Sequence, residues 1–404
     1  MIDAAALDIL LGETRVGTIA RLDGDASIFT FDEAYLADQD RPTLSLAYKD
    51  PNGDILSDTR SYRTVIEPFF SNLLPEGTLR DYLARRAGVK AVREYHLLTQ
   101  LGHDLPGAVR ALPIDAGETE GDQPDEKAVK QQAKRALRFS LAGVQLKFSA
   151  IKANGKNGGL TIPVTGSGGD WIVKLPSARH PDVPEAEFAA MSLAGKIGID
   201  VPDIDLLPLE QIDGLPDGIN RYGQSAFAIR RFDRATDGPI HIEDFAQVFG
   251  VFAEDKYENA SYRQILSVLA IETDEQSIIE FVRRLTYSVL IGNGDMHLKN
   301  WSLIYPDTRN ALLAPAYDLL STLAYIPGDD AALKFHRSRE WSSFTYEELE
   351  TIADRAKLPA NLLISTAKDT VAGFDDLWAS ESGYLPFPDD VRSAIAKHRA
   401  TLAI

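Results

Sequence analysis

The segment Gly292–Ile304, GNGDMHLKNWSLI, sets Asp295 five residues ahead of Asn300 and then re-enters a strand-like run at Ser302. Phosphoryl-transfer loops use this D-x-x-x-x-N spacing. The carboxylate accepts or orients the proton of an attacking hydroxyl, and the amide oxygen holds magnesium, a hard cation that takes oxygen ligands. Asp and Asn are also common turn formers, so this spacing taken alone leaves a plain polar loop equally open. A second segment, Ala314–Thr322 (APAYDLLST), approaches Asp318 through apolar residues about a short hairpin's length further on. A kinase carries its second magnesium-binding aspartate at such a place. The competing reading is a carboxylate that caps a helix beginning at Leu319. Taken together, in this order and separation, the two loops favour phosphoryl transfer, with Asp295 as catalytic base and Asn300 and Asp318 as metal ligands.

Three further segments carry charge where a nucleotide could use it. In Trp171–Ser177 (WIVKLPS), Lys174 sits in an otherwise apolar strand and is costly to bury without an anion. A kinase strand lysine meets the nucleotide phosphates and a helix glutamate, and the helical run that follows offers Glu185 and Glu187. An edge-strand lysine in solvent is the alternative. Phe139–Ile151 (FSLAGVQLKFSAI) brings the small residues Ala142 and Gly143, then Gln145 and Lys147, between strand-like flanks. Small residues let backbone N–H groups approach phosphate oxygens. The pattern is neither of the familiar glycine-rich phosphate motifs, and by spacing alone a β-turn is the better reading. Val164–Asp170 is richer in glycine but reads as a hairpin turn. His297 could reach a nucleotide, or be structural. Phe227–Arg234 (FAIRRFDR) fits a strand between lobes whose backbone reads an adenine, and equally a set of structural ion pairs around Asp233.

These residues need elements to hold them. Leu7, Ile9 and Leu11 alternate, Gly12-Glu13 can turn the chain, and Val16–Ile19 and Ser27–Phe31 continue an antiparallel β pattern. Phe69–Val89 predicts two helices split at Pro75 and Gly77 and ended at Gly88, and a third runs from Val92 to Leu101. Residues 115–126 (DAGETEGDQPDE) are acidic and poor in apolar residues, which marks a connector. Strands return in LKFSAI, GLTIPV and WIVKLPS, a helix spans Glu185–Lys196, and from about Ile242 the chain reads as mostly helical to its end. Thr345 and Glu348 form a capping-box pattern flanked by Phe344 and Leu349. The expected organisation is a small N-terminal module (1–112), an acidic linker (113–130), a β-rich lobe (131–235) and a helical lobe (236–404). The fold class is α+β, a protein-kinase-like pair of lobes, β-rich then all-helical, with an added N-terminal mixed α/β subdomain.

The bulk composition narrows the field. The chain has 404 residues, 44% hydrophobic and 25% charged, ordinary for a soluble globular protein of more than one domain. It has 0 cysteines, which excludes disulfides and thiolate metal sites, and the 7 histidines show no metal-ligand spacing. No apolar run suits a membrane span, and the start lacks the basic flank of a signal peptide, so a cytoplasmic location is expected. A net charge of −18 disfavours broad, non-specific nucleic-acid binding but allows a local basic patch or a basic partner.

The sequence resembles the HipA family, the serine/threonine-kinase toxins of type II toxin–antitoxin modules, over nearly its whole length. FFSNLLPEG, YHLLTQLG and GAVRALP resemble the family's N-terminal subdomain. FSLAGVQLK, WIVKLPS, the E-x-x-x-M helix at Glu187–Met191, RRFDR, EDFAQ, GNGDMHLKN and AYDLLS resemble its kinase core, in order. The resemblance implies ATP and Mg2+ as cofactors and a set of residue roles. Ala142, Gly143, Val144, Gln145, Leu146 and Lys147 match the phosphate-binding loop, and Ser140 the autophosphorylation serine. Lys174 matches the nucleotide lysine, with Glu187 as its helix partner, and Arg230, Arg231 and Phe232 match the hinge, with Arg230 standing where an acidic residue is common. Asp295 matches the proton acceptor. His297, Leu298, Lys299, Asn300, Tyr317 and Asp318 match the remaining nucleotide and metal contacts. The implied partners are a HipB-type helix-turn-helix antitoxin, operator DNA mainly through that antitoxin, and an aminoacyl-tRNA synthetase as protein substrate. Two rival readings remain: a small-molecule phosphotransferase with a similar loop, and a silent co-repressor that works with a DNA-binding antitoxin.

Overall fold

The structure is a computed structural model that describes residues 4–57, 60–114, 147–152, 160–161, 169–177, 179–180, 182–215 and 218–404. Ser140, Ala142–Leu146, nearly all of the acidic connector and most of Val164–Asp170 lie outside the described residues. In the N-terminal module, the alternating residues Leu7, Ile9 and Leu11 build β1 (Ala6–Leu11), which pairs antiparallel with β2 (Thr14–Leu22). The turn between them uses Gly12 at φ +60°, a conformation that favours glycine. β3 (Ala26–Phe31), α1 (Glu33–Ala37), β4 (Ser61–Arg63), α2 (Pro68–Ser71), α3 (Gly77–Ala87), α4 (Glu94–Leu101) and β5 (Val109–Pro113) follow. The five strands run in the order β4-β3-β2-β1-β5, and their buried face packs on Phe69, Phe70, Leu97 and Leu98 of the helices. Helices α2 and α3 split as expected, and Gly88 closes α3 in the left-handed region at φ +70°.

The second lobe is a six-stranded sheet flanked by one long helix. Its elements are β6 (Lys147–Lys152), β7 (Leu160–Thr161), β8 (Trp171–Lys174), α5 (Val183–Ile197), β9 (Ile204–Pro208), β10 (Ile212–Asp213) and β11 (Ser225–Arg230). The strand order is β10-β7-β6-β8-β11-β9, which makes β8 an interior strand rather than an edge. Period-2 alternation sorts its two faces. Ala226, Ala228, Trp171 and Val173 belong to one core, against which Leu79 and Leu83 of α3 also pack. Phe227, Ile229 and Ile172 join α5 in the other. Lys174 therefore shares the α5 face with Ile172.

The third lobe holds α6 (Phe245–Val248), α7 (Tyr262–Glu272), α8 (Glu275–Ile291), α9 (Tyr346–Ala356), α10 (Ala360–Glu381) and α11 (Asp389–Arg399). It is not helical throughout. A two-stranded ribbon, β12 (Arg234–Ala235) with β13 (Gly238–Pro239), leads into it, and β14 (His241–Asp244), β15 (Ser302–Tyr305) and β16 (Leu312–Leu313) form a three-stranded sheet inside it. The strand-like run at Ser302 is β15; the other strands, of two to four residues, are too short to declare a period, which is why the sequence reads as mostly helical there. The expected capping box is half present: the Thr345 hydroxyl accepts from the Glu348 N–H at 3.2 Å. A complete box stands instead at Asp244 and Gln247, at the start of α6. Among the described residues no helix is long and apolar enough to cross a membrane.

Candidate functional site

Helix α8 delivers the first catalytic candidate. It ends at Gly292, in the left-handed region at φ +65°, and the N–H of Asn293 returns to the carbonyl of Ser288 at 2.8 Å. A Cβ on Gly292 would lie 2.1 Å from Leu323 Cδ1, so the turn is fixed by sterics on both counts. Asn293 then braces two loops: its side-chain oxygen accepts from the Asp295 N–H at 3.1 Å, and its Nδ2 donates to the Asp318 carbonyl at 3.3 Å. A short 3-10 turn, Leu298–Asn300, places Asn300 so that its Nδ2 donates to the Asp295 carbonyl at 2.7 Å. Because that partner is a carbonyl, the amide nitrogen must face it and the amide oxygen is left as an acceptor.

Asp318 follows β16 on irregular chain, at φ +55°, and no helix begins at Leu319. The helix-cap alternative therefore falls away. Lys174 is 7% exposed and its ammonium contacts the carboxylates of both Asp318 and Glu187. It also lies 5.7 Å from the Phe227 ring centroid. An edge lysine in solvent is thus excluded. Glu185 does not share this contact. Burial would raise Asp318, but the charges of Lys174 and Lys147 outweigh it and hold the carboxyl well below its usual range. Burial would lower Lys174, and the two carboxylates more than reverse it, so the ammonium stays charged. Glu187 is pushed up to about 7 by burial, against the pull of Lys174.

These groups meet in one cavity of about 450 Å3, lined by Lys174, Glu187, Asp295 and Asp318, with Tyr257, Gly294, Leu320, Thr322, Ile326 and Asp329. Asp295 is about half exposed there, with a side-chain accessibility of 53%. Desolvation by the cavity walls raises its pKa, the hydrogen bond from the Tyr257 phenol opposes the rise, and the negative Asp318 adds to it. His297 Nε2 stands 3.8 Å from Asp295, with its ring edge-on to Tyr257 at 4.9 Å between centroids. Burial and Lys256 depress His297 to about 3, so the ring is neutral, and its buried Nδ1 has no hydrogen-bond partner.

Not every expected contact faces the cavity. The Lys299 ammonium turns toward the N-terminal module, 2.9 Å from both the carbonyl and the Oδ1 of Asn72. Leu298 is fully buried in the large core. The Tyr317 phenol is held between the Ser302 hydroxyl at 2.5 Å and the Lys299 carbonyl at 2.8 Å, and its ring lies 5.7 Å from Phe232. Lys147 pairs in register with Lys174 across β6 and β8. Just after β11, Arg231 clasps the buried Asp233 at 2.6 Å, as Arg234 does at 2.7 Å, and Asp233 accepts the Gly107 N–H at 2.8 Å. The ion-pair reading therefore describes Arg231. Arg230 is exposed, 3.3 Å from Asp203. The N–H groups of Arg230 and Arg231 bond the carbonyls of Asp203 and Asp170.

The sequence reading missed Tyr257, Asn293, Thr322 and Asp329. Thr322 accepts from the Gly294 N–H at 3.0 Å and donates to Asp329 at 2.8 Å. Asn293 had a visible signal, as an Asx-type residue two before the candidate base Asp295. Tyr257 had none, lying 38 residues from its partner in a polar stretch without a period. As to metal, no group of three or more His, Cys, Asp or Glu side chains among the described residues could hold an ion. An amide oxygen and an ionised carboxylate nonetheless suit magnesium, which keeps several waters and takes the rest of its shell from substrate phosphates.

Comparison with known proteins follows the same lines. The HipA-like C-terminal domain family matches residues 139–378, and the HipA N-terminal domain family matches residues 7–112. A Sinorhizobium fredii protein, provisionally named kinase Y4dM, is 52% identical over 98% of this chain and 97% of its own length. The serine/threonine-protein kinase toxin HipA of Shewanella oneidensis is 25% identical over 98% of this chain and 93% of its own. A solved Shewanella oneidensis complex of HipA, HipB and operator DNA contains a chain that superposes with a TM-score of 0.72 at 23% identity, covering 98% of this chain and 95% of that one. This likeness shows a shared fold.

Proposed function

The chain belongs to the HipA family, and from that premise we propose that it is an ATP- and magnesium-dependent serine/threonine-protein kinase, the toxin of a toxin–antitoxin pair. The observation that carries the reading is the buried Lys174 held between Glu187 and Asp318 in the cavity that also contains Asp295. A lysine joined to a helix glutamate and to a metal-binding aspartate is the arrangement phosphoryl transfer needs.

In this reading Lys174 and Lys147 receive the nucleotide phosphates, together with the backbone of Ala142–Leu146. Phe232, in the turn after β11 and beside Tyr317, borders the base. His297, which the family pattern places at the nucleotide, is neutral, stands 3.8 Å from Asp295 and keeps its Nδ1 buried. Asn300 and Asp318 offer the oxygen ligands for magnesium, which when bound neutralises charge on the phosphate oxygens. Asp295 accepts the proton of a protein serine hydroxyl as its oxygen bonds to the γ-phosphorus and the bond to ADP breaks. The carboxylate suits this role because it is half exposed and its proton affinity is raised by the cavity. Leu298, Lys299 and Tyr317 hold the loop from behind rather than touching the nucleotide.

The wider role follows from the family. The partner is a HipB-type antitoxin, through which operator DNA is reached, as the composition of the Shewanella complex suggests. The substrate is an aminoacyl-tRNA synthetase, and the kinase also modifies its own Ser140, acting in the cytoplasm. Expression without an antitoxin is expected to arrest growth, and Asp295→Gln to relieve the arrest. Unimpeded growth alongside soluble protein active as a kinase would contradict the toxin role.

A further inference from the structure

Glu76 lies on the N-terminal module, just before α3, in the FFSNLLPEG segment. Its carboxylate reaches two lysines on the far lobe: Lys256 at 2.8 Å and Lys299 at 3.2 Å. Each lysine directly precedes a residue of the candidate site. Lys256 precedes Tyr257, whose phenol donates to Asp295. Lys299 precedes Asn300, whose amide donates to the Asp295 carbonyl at 2.7 Å. A further backbone bond joins the two segments, from the Leu298 N–H to the Lys256 carbonyl at 3.2 Å. Around the Lys299 ammonium, Asn72 supplies two oxygens at 2.9 Å and Asp244 one at 3.4 Å, and the lysine side chain is only 13% exposed.

We infer that Glu76 is a positioning residue of the kinase site, a carboxylate on the N-terminal module that fixes together the two segments carrying Tyr257 and Asn300. The inference rests on the kinase reading for its effect on turnover, but the clamp is a property of the chain with no ligand bound. Two charges held by one carboxylate cannot drift apart without one of them losing its contact with Glu76. The segments they anchor meet Asp295 from two sides, through its carboxylate and its carbonyl. Burial would raise Glu76, and Lys299 and Lys256 reverse that and bring it down to about 2, so it is ionised throughout the working range. The Asn72 amide also donates to the Val251 carbonyl at 2.8 Å, and Gln247 Nε2 to the Phe69 carbonyl at 3.0 Å, so α2 itself is seated firmly on the helical lobe.

The test uses the full chain with Glu76→Ala, Glu76→Gln and, as a control elsewhere on the module, Arg93→Ala, which breaks a peripheral pair with Asp25. Hydrogen exchange of the ligand-free protein is read for the peptides spanning residues 253–258 and 293–301. Glu76→Ala is expected to speed exchange in both peptides together. Glu76→Gln, which keeps an oxygen acceptor, should fall between Ala and wild type, and Arg93→Ala should change neither. With ATP and magnesium, well below the unfolding temperature, Glu76→Ala should lower kcat on the order of ten- to a hundredfold and raise the magnesium concentration needed for half-maximal rate. A site misplacement acts on turnover and metal dependence, whereas a merely loosened module lowers Tm alone. Unchanged exchange in both peptides overturns the inference, as does a wild-type kcat and magnesium dependence in Glu76→Ala. If wild-type protein transfers no phosphate at all, the kinase reading fails, and the exchange result still decides the clamp.

Discussion

Asp318 shows how residue type and backbone must agree at a functional position. Its φ of +55° is a conformation that L-residues avoid, with Asp and Asn among those that tolerate it best. Asp318→Asn is therefore expected to fold. Glu187, no longer sharing Lys174, ionises more readily and keeps the lysine paired. What the variant loses is the carboxylate's negative charge at the metal position, so magnesium-dependent nucleotide binding should weaken and phosphotransfer should fall by at least about a hundredfold. Nucleotide titration with and without magnesium, beside a melting curve, checks both halves; full magnesium-dependent affinity in the variant would count against the ligand role. Of the residues singled out in the sequence, Lys174, Asp295 and Asp318 share a cavity and Asn300 bonds the Asp295 carbonyl. Lys299 and Tyr317 were legible as neighbours of the site but not in their direction, because a motif gives sequence position and not the side from which a side chain is held. Lys299 points at Asn72, on another module altogether.

At the scale of elements, strand β14 and its neighbours carry a buried carboxyl that no sequence pattern announces. Glu243 is fully buried and accepts from the Ser45 hydroxyl at 2.5 Å, from the Leu46 N–H at 3.0 Å and from the Tyr305 phenol. The carboxylate thus joins the N-terminal module to β14 and β15. Beside it, His241 bonds the Leu44 carbonyl at 2.8 Å. Burial raises Glu243 to about 7 despite three donors. A carboxyl raised in the folded state contributes stability that is fully present below its ordinary value near 4.5 and is lost as pH climbs through 7. Glu243→Gln removes that titration. Relative to wild type, the variant should gain stability between pH 5 and pH 8, by up to about 3 kcal/mol. Chemical denaturation of both proteins at several pH values reads the difference directly and cancels the contributions of Glu67 and Glu187, which titrate in the same window. A pH-independent difference would show that Glu243 stays ionised. Long, periodic elements such as β1 and α5 were legible. Of the sheet of β14, β15 and β16 only the strand-like run at Ser302 was legible, since the pairing is set by tertiary contact rather than by local pattern.

At the scale of the whole molecule, the three parts are built into one another. The N-terminal module touches the strand between lobes through Gly107 and Asp233, the sheet through Leu79 and Leu83, and the catalytic segment through Asn72 and Glu76. Composition and motif order made the succession of parts legible. The interfaces were not, because they depend on single polar residues 100 or more positions apart, such as Asn72 with Lys299 at a separation of 227. The central claim is that the cavity around Lys174, Asp295 and Asp318 passes a phosphate from ATP to a protein serine with Asp295 as base. The direct measurement is transfer of γ-labelled phosphate from ATP to protein, with phospho-amino-acid analysis, for wild type and Asp295→Asn, each with magnesium and with excess chelator. The account predicts labelled phosphoserine only in wild-type protein with magnesium, and a melting temperature nearly the same in the variant. Equal labelling in the variant, or none in folded wild-type protein with magnesium, would contradict it.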